Sequence, residues 1–287
     1  MRIGFIGAGA VGTGVGILLK DAGHEIVGYY SRSEVSSKKS AELTGGSSYG
    51  DPVLLSRKCE LLFISTPDDA IRGMADKLSD RGAFRSGQVA AHFSGSQTSK
   101  SLQAASQKGA FVLSLHPLQS CSNYEGAVRN LPGSVFSLEG DEEAVAVGKE
   151  IVSDLGGSSF VLKAEDKVLY HAAASVASNF LVTLFNMSRE MMKASGVGDG
   201  LLISALMPLM EGTMANLREM KPHEALTGPI ARGDVNTVKD HLDAIRDKMP
   251  QLVEAYGVLG SHTLGLAIKK GQLDGDAARR LRDVLEG

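Results

Sequence analysis

Lys167, His171, Ser175 and Asn179 recur at intervals of four residues. On a helix that spacing stacks an ammonium, an imidazole, a hydroxyl and an amide along one face over three turns. A helix buried in an apolar core does not normally stack polar groups in register. The stripe therefore reads either as a solvated face or as a surface that holds substrate and moves protons. His116 is a second candidate. It follows the apolar run Phe111–Leu115, and Pro117 after it biases its backbone toward an extended form. An imidazole there can exchange a proton with a substrate oxygen during hydride transfer, or serve as a polar cap to the strand. The third candidate is Arg232, in the run Leu226-Thr-Gly-Pro-Ile-Ala-Arg-Gly-Asp234. A guanidinium fork grips a carboxylate or phosphate with two donors at once. Asp234 reads as a cap for the helix that follows. His24, His92, His223, His241 and His262 read as surface or structural histidines.

These groups need a cofactor, and the start of the chain offers a place for one. Ile3-Gly-Phe-Ile6 reads as a buried strand, and Val11, Val15, Leu18 and Leu19 have helical spacing. Between them lie Gly7, Gly9 and Gly12, the G-x-G-x-x-G spacing of a dinucleotide-binding turn. The first glycine permits the turn, the second admits a pyrophosphate, and the third lets helix and strand approach. Backbone N–H groups from Gly7, Ala8, Gly9, Ala10, Val11 and Gly12 would then surround the phosphates. The next strand ends at Tyr30, followed by Ser31 and Arg32. An NAD-preferring site usually places Asp or Glu there, to hold the ribose 2′-hydroxyl. A hydroxyl and a guanidinium suit a 2′-phosphate instead, so NADP is expected over NAD. Glu34 lies past the strand end. Arg32 also reads as an ordinary solvated loop residue.

Further strand ends complete the cofactor site. Ser65, Thr66 and Pro67 are placed to line a nicotinamide ribose, with Asp68 as cofactor contact or helix cap. Ser94 closes the next strand end.

Up to about residue 163, apolar runs alternate with helical patterns, which predicts a Rossmann-type doubly wound, mostly parallel sheet. The expected strands are Arg2–Ile6, Glu25–Tyr30, Leu61–Ser65, Gln88–His92, Phe111–Leu115, Val135–Leu138 and Ser159–Leu162. From Ala164 onward only helical periodicity remains. One long helix is expected up to Ser195, then others near 199–219, 235–247, 250–269 and 274–285. The division is thus 1–163, an NADP-binding domain, and 164–287, an all-helical substrate and dimerisation domain. A helix of about thirty residues spans roughly 45 Å, longer than a small domain, which predicts a homodimer packed through the helical part.

The charge balance is −3, Trp is absent and aromatic residues make up 5%. No basic field or stacking surface invites nucleic acid. Cys59 and Cys121 form neither a C-x-x-C pair nor a metal framework, which fits a cytoplasmic protein. Few residues precede Gly7, so a signal peptide is not expected there. No unbroken run of about 18 apolar residues occurs, so a membrane span is not expected either.

The N-terminal run, Tyr30-Ser-Arg-Ser33 and Ser65-Thr-Pro67 resemble the 6-phosphogluconate-dehydrogenase-like reductases. That group includes ketopantoate reductase, prephenate dehydrogenase, pyrroline-5-carboxylate reductase and deazaflavin-dependent NADP oxidoreductases. His116-Pro-Leu-Gln119, Tyr170-His-Ala-Ala-Ala174, Ser178-Asn179 and Thr227–Asp234 resemble, more specifically, an uncharacterised bacterial family. Its members join a Rossmann-like domain to a C-terminal helical domain of unknown function. The resemblance implies that His116 contacts a reacting hydroxyl, as in prephenate dehydrogenases, although Leu118-Gln119-Ser120 departs from their motif. It also implies a proton donor at Lys167 or His171, because their spacing is similar to the Lys-to-Asn spacing of hydroxyacid dehydrogenases.

The sequence therefore predicts an NADP-dependent oxidoreductase acting on a small carbonyl, imine or hydroxy acid. His116, Lys167, His171 and Asn179 would be catalytic, and Ser175 and Arg232 would bind substrate. A non-catalytic NADP-binding sensor and an NADP:deazaflavin oxidoreductase are the alternatives.

Overall fold

A computed structural model describes residues 1–287, which form two compact units, Met1–Asn179 and Phe180–Gly287. In the first, β1 (Arg2–Ile6), α1 (Ala10–Asp21), β2 (Glu25–Tyr30), α2 (Glu34–Thr44), β3 (Ser47–Ser48) and α3 (Pro52–Lys58) come in turn. β4 (Leu61–Ile64), α4 (Asp68–Asp80), β5 (Val89–His92), α5 (Gln103–Ser106) and β6 (Phe111–Pro117) follow. α6 (Tyr124–Asn130), β7 (Val135–Gly140), α7 (Glu142–Asp154) and β8 (Ser158–Val161) complete the alternation. α8 (Lys167–Ala194) begins in this unit, and the division between the units falls inside it.

The eight strands lie in the order β3-β2-β1-β4-β5-β6-β7-β8. Their order reverses between β1 and β4, the place where an open α/β sheet forms its ligand crevice. Central strands are buried on both faces, as parallel strands covered by helices must be. Ile3, Phe5, Phe63 and Leu113 enter one core, and Ile6, Leu62, Ile64 and Val112 enter the other. Along the first face Tyr29, Phe5, Phe63 and Phe93 stack ring on ring, at centroid distances of 5.0, 5.3 and 4.6 Å.

The sheet is mostly parallel, as expected, with one exception: β7 runs antiparallel to β6. The intervening chain carries only the short α6 and stays at the carboxyl end of the sheet, where Leu118 N donates to Val135 O at 2.9 Å. β6 also runs two residues past Leu115, so His116 and Pro117 belong to the strand itself, with His116 opposite Ser137.

In the second unit the rest of α8 is followed by α9 (Asp199–Glu219), α10 (Pro222–Ala225), α11 (Pro229–Arg232), α12 (Val235–Lys248), α13 (Val253–Lys270) and α14 (Gly275–Glu286). Ile230, Val238, Leu242, Leu264, Leu281 and Leu285 form its core. Asp234 caps α12 by accepting from Thr237 N at 3.1 Å, the capping role expected for it. Although no unbroken apolar run occurs, Ala164–Ala194 and Asp199–Glu219 are long and apolar enough, by length and composition, to cross a membrane. Their apolar side chains, Val168, Val176, Val182, Leu201, Ile203 and Leu209 among them, stand exposed.

Candidate functional site

The glycine turn connects β1 to α1. Gly7 has φ +119°, and a β-carbon there would lie 2.5 Å from Ser65 O. Both its conformation and its surroundings exclude a side chain. Gly12 abuts the same residue, with Ser65 Oγ 2.6 Å from the position of a β-carbon. Ser65 donates to the carbonyls of Gly7 at 3.0 Å and Ile6 at 3.3 Å, so its hydroxyl ties the turn to the end of β4. Gly9 differs, because a β-carbon there would meet nothing within 4 Å. It is also the N-cap residue of α1, which has no side-chain cap and no acidic residue in its first turn. The first N–H groups of a helix have no intrahelical acceptor and carry its positive end. An uncapped helix start beside open space fits a dinucleotide pyrophosphate.

At the end of β2, Ser31 Oγ accepts from Ser33 N at 3.3 Å. Ser33 in turn caps α2. Arg32 is exposed and makes no hydrogen bond or ion pair. Glu34 is engaged by Lys38 at 2.7 Å, and that hydrogen bond holds its carboxyl below the usual range.

At the ends of β4 and β5 the structure revises two expectations. Pro67, not Asp68, is the N-cap residue of α4. The Asp68 carboxylate accepts instead from Ser94 Oγ at 2.6 Å and Ser96 Oγ at 3.2 Å. Ser94 is buried, with its N–H donated to His92 Nδ1 at 3.1 Å and its hydroxyl donated to Asp68. Its carbonyl accepts from Lys167. Its polar groups thus hold the protein together where a cofactor contact was expected. Thr66 Oγ1 is buried without a partner. His92 is structural: its ring takes the Ser94 N–H and donates to Thr98 O at 3.1 Å, and burial pushes its pKa down to about 4.

The first turns of α8 bring two sequence candidates, Lys167 and His171, to the ends of β5 and β6, where the third, His116, lies. Lys167 is fully buried and donates to Ser114 Oγ at 2.8 Å and Ser94 O at 3.2 Å. Burial pushes its pKa down to about 8, opposed by Glu139 and Asp68. Glu139 is itself buried and accepts from Ser99 N at 2.6 Å and Ser99 Oγ at 2.8 Å. His116 lies edge-on to His171, with ring centroids 5.8 Å apart. Burial, then the Lys167 and His171 charges, push the His116 pKa down to about 4. An imidazole that stays neutral can accept at one nitrogen and donate at the other.

Two residues of this cluster had no site role assigned from the sequence. Tyr170 places its hydroxyl 2.8 Å from His116 Nδ1. It lies three residues after Lys167 and one before His171, so the helical spacing marks it as a neighbour of both. Gly95 fits against both imidazoles: a β-carbon there would press on His171 Nδ1 and lie 2.8 Å from His116 Nε2. Ser175 is half-buried one turn beyond His171, Asn179 is exposed a turn farther on, and Arg232 is exposed at the end of α11 in the second unit.

Residues 1–117 match the family model of a Rossmann-like domain, and residues 134–263 match that of a domain of unknown function, DUF2520. No curated protein matches the sequence. Among solved structures, a Bacteroides fragilis protein provisionally named an NADP oxidoreductase superposes with TM-score 0.75 at 23% identity, covering 92% of this chain and 98% of that one. A Thermotoga maritima protein gives TM-score 0.67 at 28% identity, covering 99% and 98%. An Aspergillus terreus reductive aminase, solved with NADPH and ethyl levulinate, gives 0.61 at 16%, covering 99% and 92%. The pairing of a Rossmann-like domain with a helical domain of unknown function is the one that the sequence resemblance implied.

Proposed function

We propose that this chain, which joins a Rossmann-like domain to a DUF2520 domain, is an NADP-dependent oxidoreductase acting on a small carbonyl, imine or hydroxy acid. One observation carries the reading. A single compact unit holds both the open glycine turn at the end of β1 and a cluster of proton-carrying side chains at the ends of β5 and β6. Ligands of open α/β sheets lie along that carboxyl edge. The similar structures support the same class, since one is named for an NADP oxidoreductase and another is a reductive aminase solved with NADPH.

Bound NADPH supplies hydride. The start of α1 holds the pyrophosphate, with Gly9 leaving room for it. Ser31 and the unengaged Arg32 suit a 2′-phosphate, and Glu34 is tied to Lys38 instead of offering a carboxylate to a 2′-hydroxyl. His116 and His171 hold and move the proton that the acceptor atom gains or loses. Lys167, with no exposed surface, orients the strand ends from within. Ser175, Asn179 and Arg232 are assigned to substrate. A second copy of the chain is assigned to the exposed apolar faces of α8 and α9.

The test is a fluorescence titration with NADPH, followed by turnover assays over keto acids, imines and hydroxy acids. The reading expects NADPH binding, with turnover that falls sharply in His116→Asn and His171→Asn. Absence of NADPH binding would overturn it. Binding without turnover on any substrate would favour a sensor.

A further inference from the structure

We propose that Tyr170, His116 and His171 form a proton relay that closes across Gly95, with Tyr170 and Gly95 as its positioning residues. The starting observation is an orphan. His171 Nδ1 is buried and has no hydrogen-bond partner. A buried ring nitrogen without a partner is unfavourable and calls for a reason. The atom facing it across Gly95 is His116 Nε2. The site of the missing Gly95 β-carbon lies 2.8 Å from that nitrogen and against His171 Nδ1. Any side chain at 95 would fill the gap between the two rings.

The other end of His116 sets the direction. Tyr170 approaches His116 Nδ1 with its hydroxyl and lies edge-on to the imidazole at 5.6 Å and 87°. Phe160 braces the phenol ring at 5.9 Å. With Tyr170 donating to Nδ1, the single proton of neutral His116 sits on Nε2 and points into the Gly95 gap. His171 Nδ1 then becomes the acceptor it lacks, after a small closing movement of either ring. Asp68, His92 and Lys167 are the other titratable groups near His116, and hydrogen bonds to neighbouring residues hold all three in place.

The relay rests on the oxidoreductase reading, because it delivers the proton that accompanies hydride. In reduction, His171 Nε2–H gives its proton to the acceptor atom. His171 Nδ1 takes the Nε2 proton of His116, His116 Nδ1 takes the Tyr170 proton, and Tyr170 recovers one from water. Each group ends neutral and one proton has passed from solvent to product, with both imidazoles left in the opposite tautomer, which rotation of the rings or proton exchange with solvent resets before the next turnover.

The experiment is 15N NMR of histidine-labelled protein at neutral pH, for wild type and Tyr170→Phe. The relay expects His116 protonated at Nε2 and bare at Nδ1 in the wild type, and a mixture of tautomers in Tyr170→Phe. A wild-type His116 protonated at Nδ1, or a tautomer unchanged in Tyr170→Phe, overturns it. Gly95→Ala removes no titratable group but wedges the rings apart. It should lower kcat by about 100-fold, the scale of general acid–base catalysis, with NADPH affinity kept. A folded Gly95→Ala variant with full kcat also overturns the relay, and if that variant does not fold the tautomer measurement decides alone. Failure of NADPH binding would remove the oxidoreductase reading, whereas the tautomer result needs no cofactor and reports on the relay by itself.

Discussion

The Lys167 ammonium donates to the Ser114 hydroxyl at 2.8 Å, which pins the first turn of α8 to β6. A fully buried cation in that place titrates differently once the chain unfolds. Its pKa is about 8 when folded, against 10.5 ordinarily, with burial as the main cause. Between those values the unfolded chain binds more protons, so this group makes stability rise with pH from about 8 to 10.5. Below about 8 its contribution is constant. Tyrosine and cysteine side chains titrate in the same range, so the comparison must be with Lys167→Met. Urea denaturation at several pH values should show the wild type gaining stability relative to Lys167→Met across that window. A constant difference would mean that the ammonium is not buried as described.

Gly7 and Gly9 should respond to alanine in opposite ways. Gly7→Ala places a β-carbon against Ser65 O in a left-handed backbone, and should cost about 1–3 kcal/mol of stability. Gly9→Ala meets nothing in the protein, so its melting temperature without cofactor should match the wild type. Its methyl group enters the space assigned to the pyrophosphate, so NADPH affinity should fall by tenfold or more, about 1.4 kcal/mol. Calorimetric titration with NADPH separates the two effects. An unaltered affinity in Gly9→Ala would place the dinucleotide elsewhere.

Arg32 bears on the choice between NADP and NAD. Its guanidinium has no partner in the protein, so Arg32→Ala should leave stability unchanged. Loss of a charged hydrogen bond to a 2′-phosphate is worth about 1.5–3 kcal/mol, or roughly 10- to 150-fold in NADPH affinity. NADH affinity should stay the same. Equal losses for both nucleotides would assign Arg32 to something other than the 2′-phosphate.

The exposed apolar residues of α8 and α9 predict a homodimer. Val182 is 68% exposed on α8 and Leu209 is 68% exposed on α9. Exposed apolar surface on this scale marks an association site. Sedimentation velocity at micromolar concentration should give a dimer, and the double substitution Val182→Asp, Leu209→Asp should shift it to monomer. A wild-type monomer in plain buffer, or a protein that sediments only with detergent, would refute the dimer.

Much of this was legible in the residues. Gly7, Gly9 and Gly12 between an apolar run and a helical pattern announced β1, the turn and α1, because short-range periodicity and glycine chemistry are local. The helices α8 and α9 and the cap at Asp234 were recognisable for the same reason. The stripe Lys167, His171, Ser175, Asn179 announced a polar helix face but could not say how far along it the strands would reach. Packing on β5 and β6 engages only its first turns, and it engages Tyr170, which the four-residue spacing passes over. Ser94 and Asp68 had the composition of a cofactor site, yet each found a partner inside the protein.

The sequence by itself determined a dinucleotide-type turn on an α/β sheet, followed by helices that bear polar and apolar stripes. Those properties depend on residues within a few turns of one another. Only the tertiary structure decided that His116 meets Tyr170 and faces His171 across Gly95, and that Lys167 is sealed beneath them. His116 stands more than fifty positions from Tyr170 and His171. Whether a ring nitrogen is paired, orphaned or buried depends on how α8 lies against the strand ends, and no local pattern encodes that distance.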